Sequence, residues 1–170
     1  MAIYHFSVKI IKRSEGRSAV AAAAYRSGTK LTNEYDGITH DYTKKNWIEH
    51  SEIFLPVQAQ KCFGERSTLW NSVESIEKSG NAQLAREFEV ALPIELSPEE
   101  RYHLVQEFIQ KNLVEHGMCV DLAIHNPPLT NGFHVPIDKD GNPTTDKEAM
   151  IFQNPHAHIM TTMRPLDADG

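Results

Sequence analysis

At 170 residues, with 40% apolar and 24% charged side chains, the chain can bury one substantial core and has the composition of neither a disordered nor a fibrous protein. No apolar run approaches the about 20 residues that span a bilayer, MAIYHFSVKIIKRSEG lacks the features of a secretory signal, and two cysteines cannot make a disulfide framework, so a cytoplasmic protein without membrane insertion is expected. The net charge of −6 is unevenly spread: residues 1–48 carry eight Lys/Arg against four Asp/Glu, the remainder nine against nineteen. A basic amino-terminal part permits contact with nucleic acid and is equally compatible with a solvated face.

In chain order, residues 3–11 alternate, with Tyr4, Phe6, Val8 and Ile10 expected to face the core and His5, Ser7 and Lys9 to face away. SAVAAAAYRSG reads as a short helix, with Ser18 as N-cap, an alanine run and Gly28 as stop. Its small side chains let the axis lie close to a sheet, which would hold Tyr25 at a fixed depth. Residues 29–64, rich in turn formers and including Asp36-Gly37, read as loop with short extended pieces. Leu69, Trp70, Val73 and Ile76 predict a second helix over 67–78, ended by Gly80-Asn81. REFEVALP alternates again, placing Phe88, Val90 and Leu92 opposite Glu87 and Glu89. Ser97, Pro98 and Glu100 then match an N-cap, an N1 proline and a capping-box acid, opening a helix with Leu104, Val105, Phe108, Ile109 and Leu113 on its apolar stripe.

MCVDLAIH is a strand with Asp121 and His125 facing away from the core. Residues 126–155 hold three prolines in PPLTNGFHVP and a KDGNP turn, and read as an insertion with a hairpin. HAHIMTTM is the last strand, with His156, His158 and Met160 on one face. The closing MRPLDADG is loop-like, as expected for an amino-terminal piece of a longer protein. The assembled expectation is an α+β domain over 1–170: an antiparallel or mixed sheet, two long helices on one face, and His5, Glu87, Glu89, His125, His156 and His158 on the other.

His-x-His on a strand places two imidazoles on one face about 7 Å apart at the backbone, within reach of one metal ion. His125, ending the preceding strand, would complete a three-histidine site with positions open for substrate oxygens. His5, His134 and Glu87 remain rival ligands, and the pair alone could be surface decoration or a hydrogen-bonded couple. Tyr25 is either a core residue with a wet hydroxyl or a phenol nucleophile. An ordinary phenol, with pKa near 10, is about one part in a thousand phenolate at pH 7, so a nucleophilic role needs a cation or base nearby.

The stretches GRSAVAAAAYRSG (16–28), DYTKK and EHSEIFLP (41–45 and 49–56), AREFEVALPIEL (85–96), VDLAIH and NPHAHIMTTMR (120–125 and 154–164) together resemble the MobA/MobL relaxases, including the conjugative TraA type, within the histidine-hydrophobe-histidine single-strand endonucleases. The resemblance implies a five-stranded antiparallel sheet and strand-specific nicking and rejoining of single-stranded DNA at a plasmid transfer origin. It puts Tyr25 at the nucleophile position, Glu87 at an acidic catalytic position, and His125, His156 and His158 at the positions that hold one divalent ion. Mn²⁺ or Mg²⁺ would serve turnover, and Ni²⁺ or Zn²⁺ would bind imidazole well. Lys9, Lys12, Arg13, Arg17, Arg26, Lys30 and Arg164 are the expected DNA contacts. A monomer working with accessory relaxosome and coupling proteins is implied. The alternatives are a replication-initiation or transposition nuclease of the same superfamily and a metal-stabilised DNA-binding module without catalysis.

Overall fold

The strand HAHIMT, latest of the strands in the chain, lies at the centre of the sheet. In the computed structural model, which describes residues 5–166, five strands form one sheet. Numbered in chain order, they are β1 (Phe6–Lys12), β4 (Ile48–Phe54), β5 (Gln83–Ala91), β6 (Val120–His125) and β7 (His156–Thr161), and they lie in the order β1-β5-β7-β6-β4 with every pair antiparallel. A separate hairpin joins β2 (Lys30–Thr32) to β3 (Thr39–Asp41). The helices are α1 (Ala19–Ser27), α2 (Arg66–Ile76) and α3 (Pro98–Asn112). The α+β class and the five-stranded antiparallel sheet expected from the sequence are both present. Among the described residues, no helix is long and apolar enough to cross a membrane.

The layering differs from expectation, because helices pack on both faces. On one face Val105 and Ile109 of α3 meet Leu122, Ile124, Ala157 and Ile159. On the other, Ala19, Val20 and Ala23 of α1 and Leu69 and Trp70 of α2 close over Ile11, Ala85 and Met160. That second face is the histidine face, since residues of β7 alternate and Met160 shares a side with His158 and His156. The face is therefore divided: apolar Met160 lies under the helices, and the imidazoles lie at the end beyond them. The alanines of α1 make this possible, because a helix with no side-chain bulk on its inner face can lie close to the sheet.

Local signals explain most elements. Ser18 Oγ accepts the Ala21 N–H at 3.1 Å, and Gly28 ends α1 in the left-handed region at φ 65°. The capping box of α3 is complete, with Glu100 N–H to Ser97 Oγ at 3.3 Å and Ser97 N–H to Glu100 Oε2 at 2.8 Å. Two readings need correction. Part of the strand expected from residue 3 lies outside the described residues, Tyr4 included, and Phe6 and Val8 stay 43% and 49% exposed. β1 is an edge strand, and the residue it buries is Ile11, which packs under α1 next to a register shift. The other correction is β4, a full strand inside a segment read as mostly loop; IEHSEIF is a polar edge strand whose alternation is broken by a bulge between Ile48 and His50. Residues 126–155 form no regular element, only isolated bridges such as Thr130 with Pro136 and Ile137 with Pro143. Cys119 is buried, and burial pushes its thiol up to about 12, as suits a packing role; Cys62 is exposed.

Under α2 the buried Asp121 carboxylate accepts from Arg66 Nε and Nη2, each at 2.8 Å, and from the Trp70 indole N–H at 2.9 Å. Asp121→Ala leaves the indole N–H without a partner and a largely buried guanidinium with only Ser51 Oγ to bond, and is expected to cost about 3–5 kcal/mol of stability. Urea unfolding followed by circular dichroism measures this directly; a loss below about 1 kcal/mol would show that the cluster does not anchor α2.

Candidate metal centre and nucleophile

β6 and β7 pair so that His125 and His156 are directly opposite, and His158 follows His156 on the same face. One ring nitrogen from each of the three lies within 4.8 Å of the others. The ring centroids are 5.5 Å (His125–His156), 4.8 Å (His125–His158) and 5.1 Å (His156–His158) apart. Donors sharing one ion through bonds of about 2.1 Å would lie closer together than about 4.2 Å, so the widest pair would have to turn inward by more than about half an ångström to share it.

The hydrogen bonds select the donor atoms. A carbonyl or carboxylate can only accept, so the ring nitrogen facing it carries the proton and the other keeps its lone pair. His125 Nε2–H donates to the Arg26 carbonyl at 2.6 Å, His156 Nδ1–H to the Asn154 carbonyl at 2.8 Å, and His158 Nδ1–H to Glu87 Oε1 at 2.9 Å. Each imidazole is thus oriented from behind, with one nitrogen left for an ion, which is the arrangement metal-binding histidines use. Burial pushes His125 down to about 3 and also lowers His156, against the opposing effect of those hydrogen bonds. Neither has to lose a proton at neutral pH to accept an ion. Among the described residues these three histidines are the group that could hold a metal; His5 and His134 lie outside it.

Glu87 is buried behind His158. Burial alone would raise its carboxyl, but hydrogen bonds from His158 and Arg26, together with the Arg26 charge, outweigh it and hold the group to about 2. Arg26 grips Glu87 with Nε and with Nη2, the latter at 2.7 Å, while its own carbonyl receives His125. Tyr25, the preceding residue, is 46% exposed and lines a cavity of about 380 Å³ with Lys45, Trp47, His125, His156 and His158. Its ring is braced edge-on by Tyr42 at 5.2 Å. The end of α1 reaches this place because residue 28 is glycine: a Cβ there would lie 2.5 Å from Ile48 Cδ1, and Ile48 pairs with His125.

Lys45 is the residue that sequence reasoning missed. Its ammonium lies 3.5 Å over the Tyr25 ring and donates to the Tyr25 carbonyl at 2.9 Å. Burial, reinforced by the Arg26 charge, lowers it to about 8. DYTKK marks the stretch, but only the fold places its last residue on the phenol. Tyr35 stacks instead on Arg13 and Tyr42 serves as brace, whereas Tyr4 lies outside the described residues.

The basic residues divide into two groups. Arg13 is spent inside the fold, bonding Glu74 at 2.8 Å and the carbonyls of Glu74, Glu77 and Ser79, so it is withdrawn as a DNA contact. Arg26 is likewise committed to Glu87. Lys9, Lys12, Arg17, Lys30 and Arg164 are accessible, each beside one acid: Glu89, Glu15, Glu15, Asp41 and Glu77. Lys9 and Arg17 also line a groove of about 540 Å³ that runs along α1 to Tyr25.

The sequence pattern of the MobA/MobL family matches residues 17–170. The chain is 37% identical over 180 residues to the conjugal transfer protein TraA of Agrobacterium fabrum and 39% identical over 172 residues to the mobilization protein MobL of Acidithiobacillus ferridurans. Both alignments take in 100% of this chain, which spans 14% of the first relative and 45% of the second. A solved chain described under "Molecular Basis of Vancomycin Resistance Transfer in Staphylococcus aureus" matches with a TM-score of 0.78 and 33% identity, covering 99% of this chain and 74% of that one. The match across nearly all of its length shows that this chain belongs to the MobA/MobL family.

Proposed function

We propose that the chain is the nicking domain of a relaxase, acting on single-stranded DNA of a plasmid transfer origin. The observation that carries this reading is one cavity that holds an accessible phenol beside three pre-oriented imidazoles. Tyr25 Oη attacks the scissile phosphorus as the bond from phosphorus to the DNA 3′ oxygen breaks. The phenol proton is released and the departing 3′ oxygen takes one up, leaving 5′-phosphotyrosyl DNA and a free 3′-hydroxyl. One ester replaces another, so the step needs no ATP and runs backwards when a 3′-hydroxyl returns.

A divalent ion held by His125, His156 and His158 would supply Lewis-acid stabilisation of charge on the phosphate oxygens. Mn²⁺ or Mg²⁺ suits hard phosphate oxygens, whereas Ni²⁺ or Zn²⁺ suits imidazole. Lys45 fixes the phenol ring and places positive charge where the phenol loses its proton. Glu87 positions His158, and Arg26 positions both Glu87 and His125. The groove along α1, with Lys9 and Arg17 on its walls, leads DNA phosphates to Tyr25. Exposed ion pairs such as theirs are weak, so phosphate can displace the acid partner.

Tyr25→Phe should abolish covalent adduct on a labelled origin oligonucleotide while single-strand binding persists, and Lys45→Met should slow adduct formation by about 10- to 100-fold. Adduct from purified Tyr25→Phe at the wild-type rate would move the nucleophile elsewhere. Calorimetry should show metal affinity falling by orders of magnitude in His156→Ala and His158→Ala, and by about 10- to 100-fold in Glu87→Gln; unchanged affinity in both alanine variants would refute the site. Anisotropy titrations against salt should lose about 0.7 from the slope of log affinity for each phosphate contact removed by Arg17→Ala or Lys30→Ala. Arg13→Ala should leave that slope alone and lower the melting temperature, and the reverse pattern would return Arg13 to the DNA surface.

A further inference from the structure

We infer that Trp47 is a stacking platform for a nucleobase adjoining the phosphate presented to Tyr25, with residues 126–155 supplying its outer wall. This deepens the single-stranded DNA reading above and rests on it. Trp47 adopts φ 69°, the left-handed region, where a bulky side chain is a true outlier. Such a conformation persists only when its surroundings enforce it, and it concentrates at working sites. Here the Trp47 carbonyl accepts the Asn126 N–H at 2.9 Å, and the Phe152 ring lies 5.5 Å from the indole at 60°. Both partners belong to the segment between β6 and β7, which has no regular structure and whose Asn154 carbonyl also orients His156.

The result is an indole on the wall of the cavity that also holds Tyr25, Lys45 and the imidazoles. At about 380 Å³ that cavity is within the usual range for small-molecule pockets, about 300–1,000 Å³. An aromatic face beside an ammonium and a candidate metal site fits a ligand with a flat apolar ring attached to an anion, which describes a nucleotide. Lys147 Nζ, 5.8 Å from the indole ring, adds a cation on the loop side, suited to a neighbouring phosphate. The other tryptophan shows what a structural one looks like in this protein: Trp70 is 0% exposed and its N–H is bonded to Asp121. Trp47 is only half-buried.

With two tryptophans in the chain and one of them sealed in the core, a change in indole emission on adding DNA reports on Trp47. The test uses the Tyr25→Phe chain in Mg²⁺ with two labelled 12-mers of equal charge, oligo-dT and an abasic sugar-phosphate strand. Stacking tolerates any base, so oligo-dT should quench the emission and bind more tightly than the abasic strand. Adding Trp47→Leu should remove the quench and weaken oligo-dT by about 5- to 100-fold, leaving the abasic strand unaffected, and Trp47→Tyr should recover most of the affinity. Binding of oligo-dT without a quench, or equal weakening of both strands by Trp47→Leu, overturns the platform. If wild-type protein still forms adduct in that case, the relaxase reading survives alone; no binding of either strand together with no adduct overturns both.

Discussion

Arg26 joins the helix that carries the phenol to the strands that carry the imidazoles. Its guanidinium holds Glu87 on β5, Glu87 holds His158 on β7, and its backbone carbonyl holds His125 on β6. A nine-residue helix is too short to be stable alone, so α1 depends on such anchors and on its alanine face. Because Tyr25 precedes Arg26 in the chain, a displacement of the ion pair moves the phenol and two imidazoles together. The buried charges also make the linkage stiff: removing either partner leaves the other uncompensated in a low-dielectric setting. Gly28 completes the anchor by letting the chain leave the helix against Ile48 without a side chain in the way.

The donor geometry follows from this frame. Each imidazole is held by an acceptor that cannot give a proton back, so the tautomers are set by the fold itself. Two of those acceptors are backbone carbonyls, of Arg26 and Asn154, which substitution of side chains cannot easily alter. The third, Glu87, is the one that evolution or mutagenesis can tune. The acidic overall charge does not extend to this region, since Lys45 lies in the cavity itself and Lys9 and Arg17 line the groove beside it.

Much of this was legible in the sequence where local rules dominate. Ser97-Pro98-x-Glu100 writes its own helix start, and the alternation of HAHIMT places two histidines on one face regardless of context. The opposition of His125 and His156 needed only the assumption that consecutive strands pair. What could not be read depends on contacts far apart in the chain. β4 lacks a clean apolar period because it is an edge strand with a bulge. Phe6 and Val8 have the right pattern for burial, yet they lie on an edge strand and stay exposed. Arg13 looked like one more surface cation, and only Glu74, 61 residues away, shows it to be internal. Lys45 and Trp47 acquire meaning from Tyr25 and Asn126, which no periodicity connects to them.

The central place of β7 has a consequence for synthesis. β5 and β6 do not pair with each other; the β1–β5 pair and the β4–β6 pair are joined through β7. Until residues 156–161 have left the ribosome, the five-stranded sheet can exist only as the separate ribbons β1–β5 and β4–β6, and a two-stranded ribbon is marginal in water. The strand that joins them is also the one that brings His156 and His158. A growing polypeptide therefore presents Tyr25 long before it has the three-histidine cluster, and completing the sheet and completing that cluster become a single event.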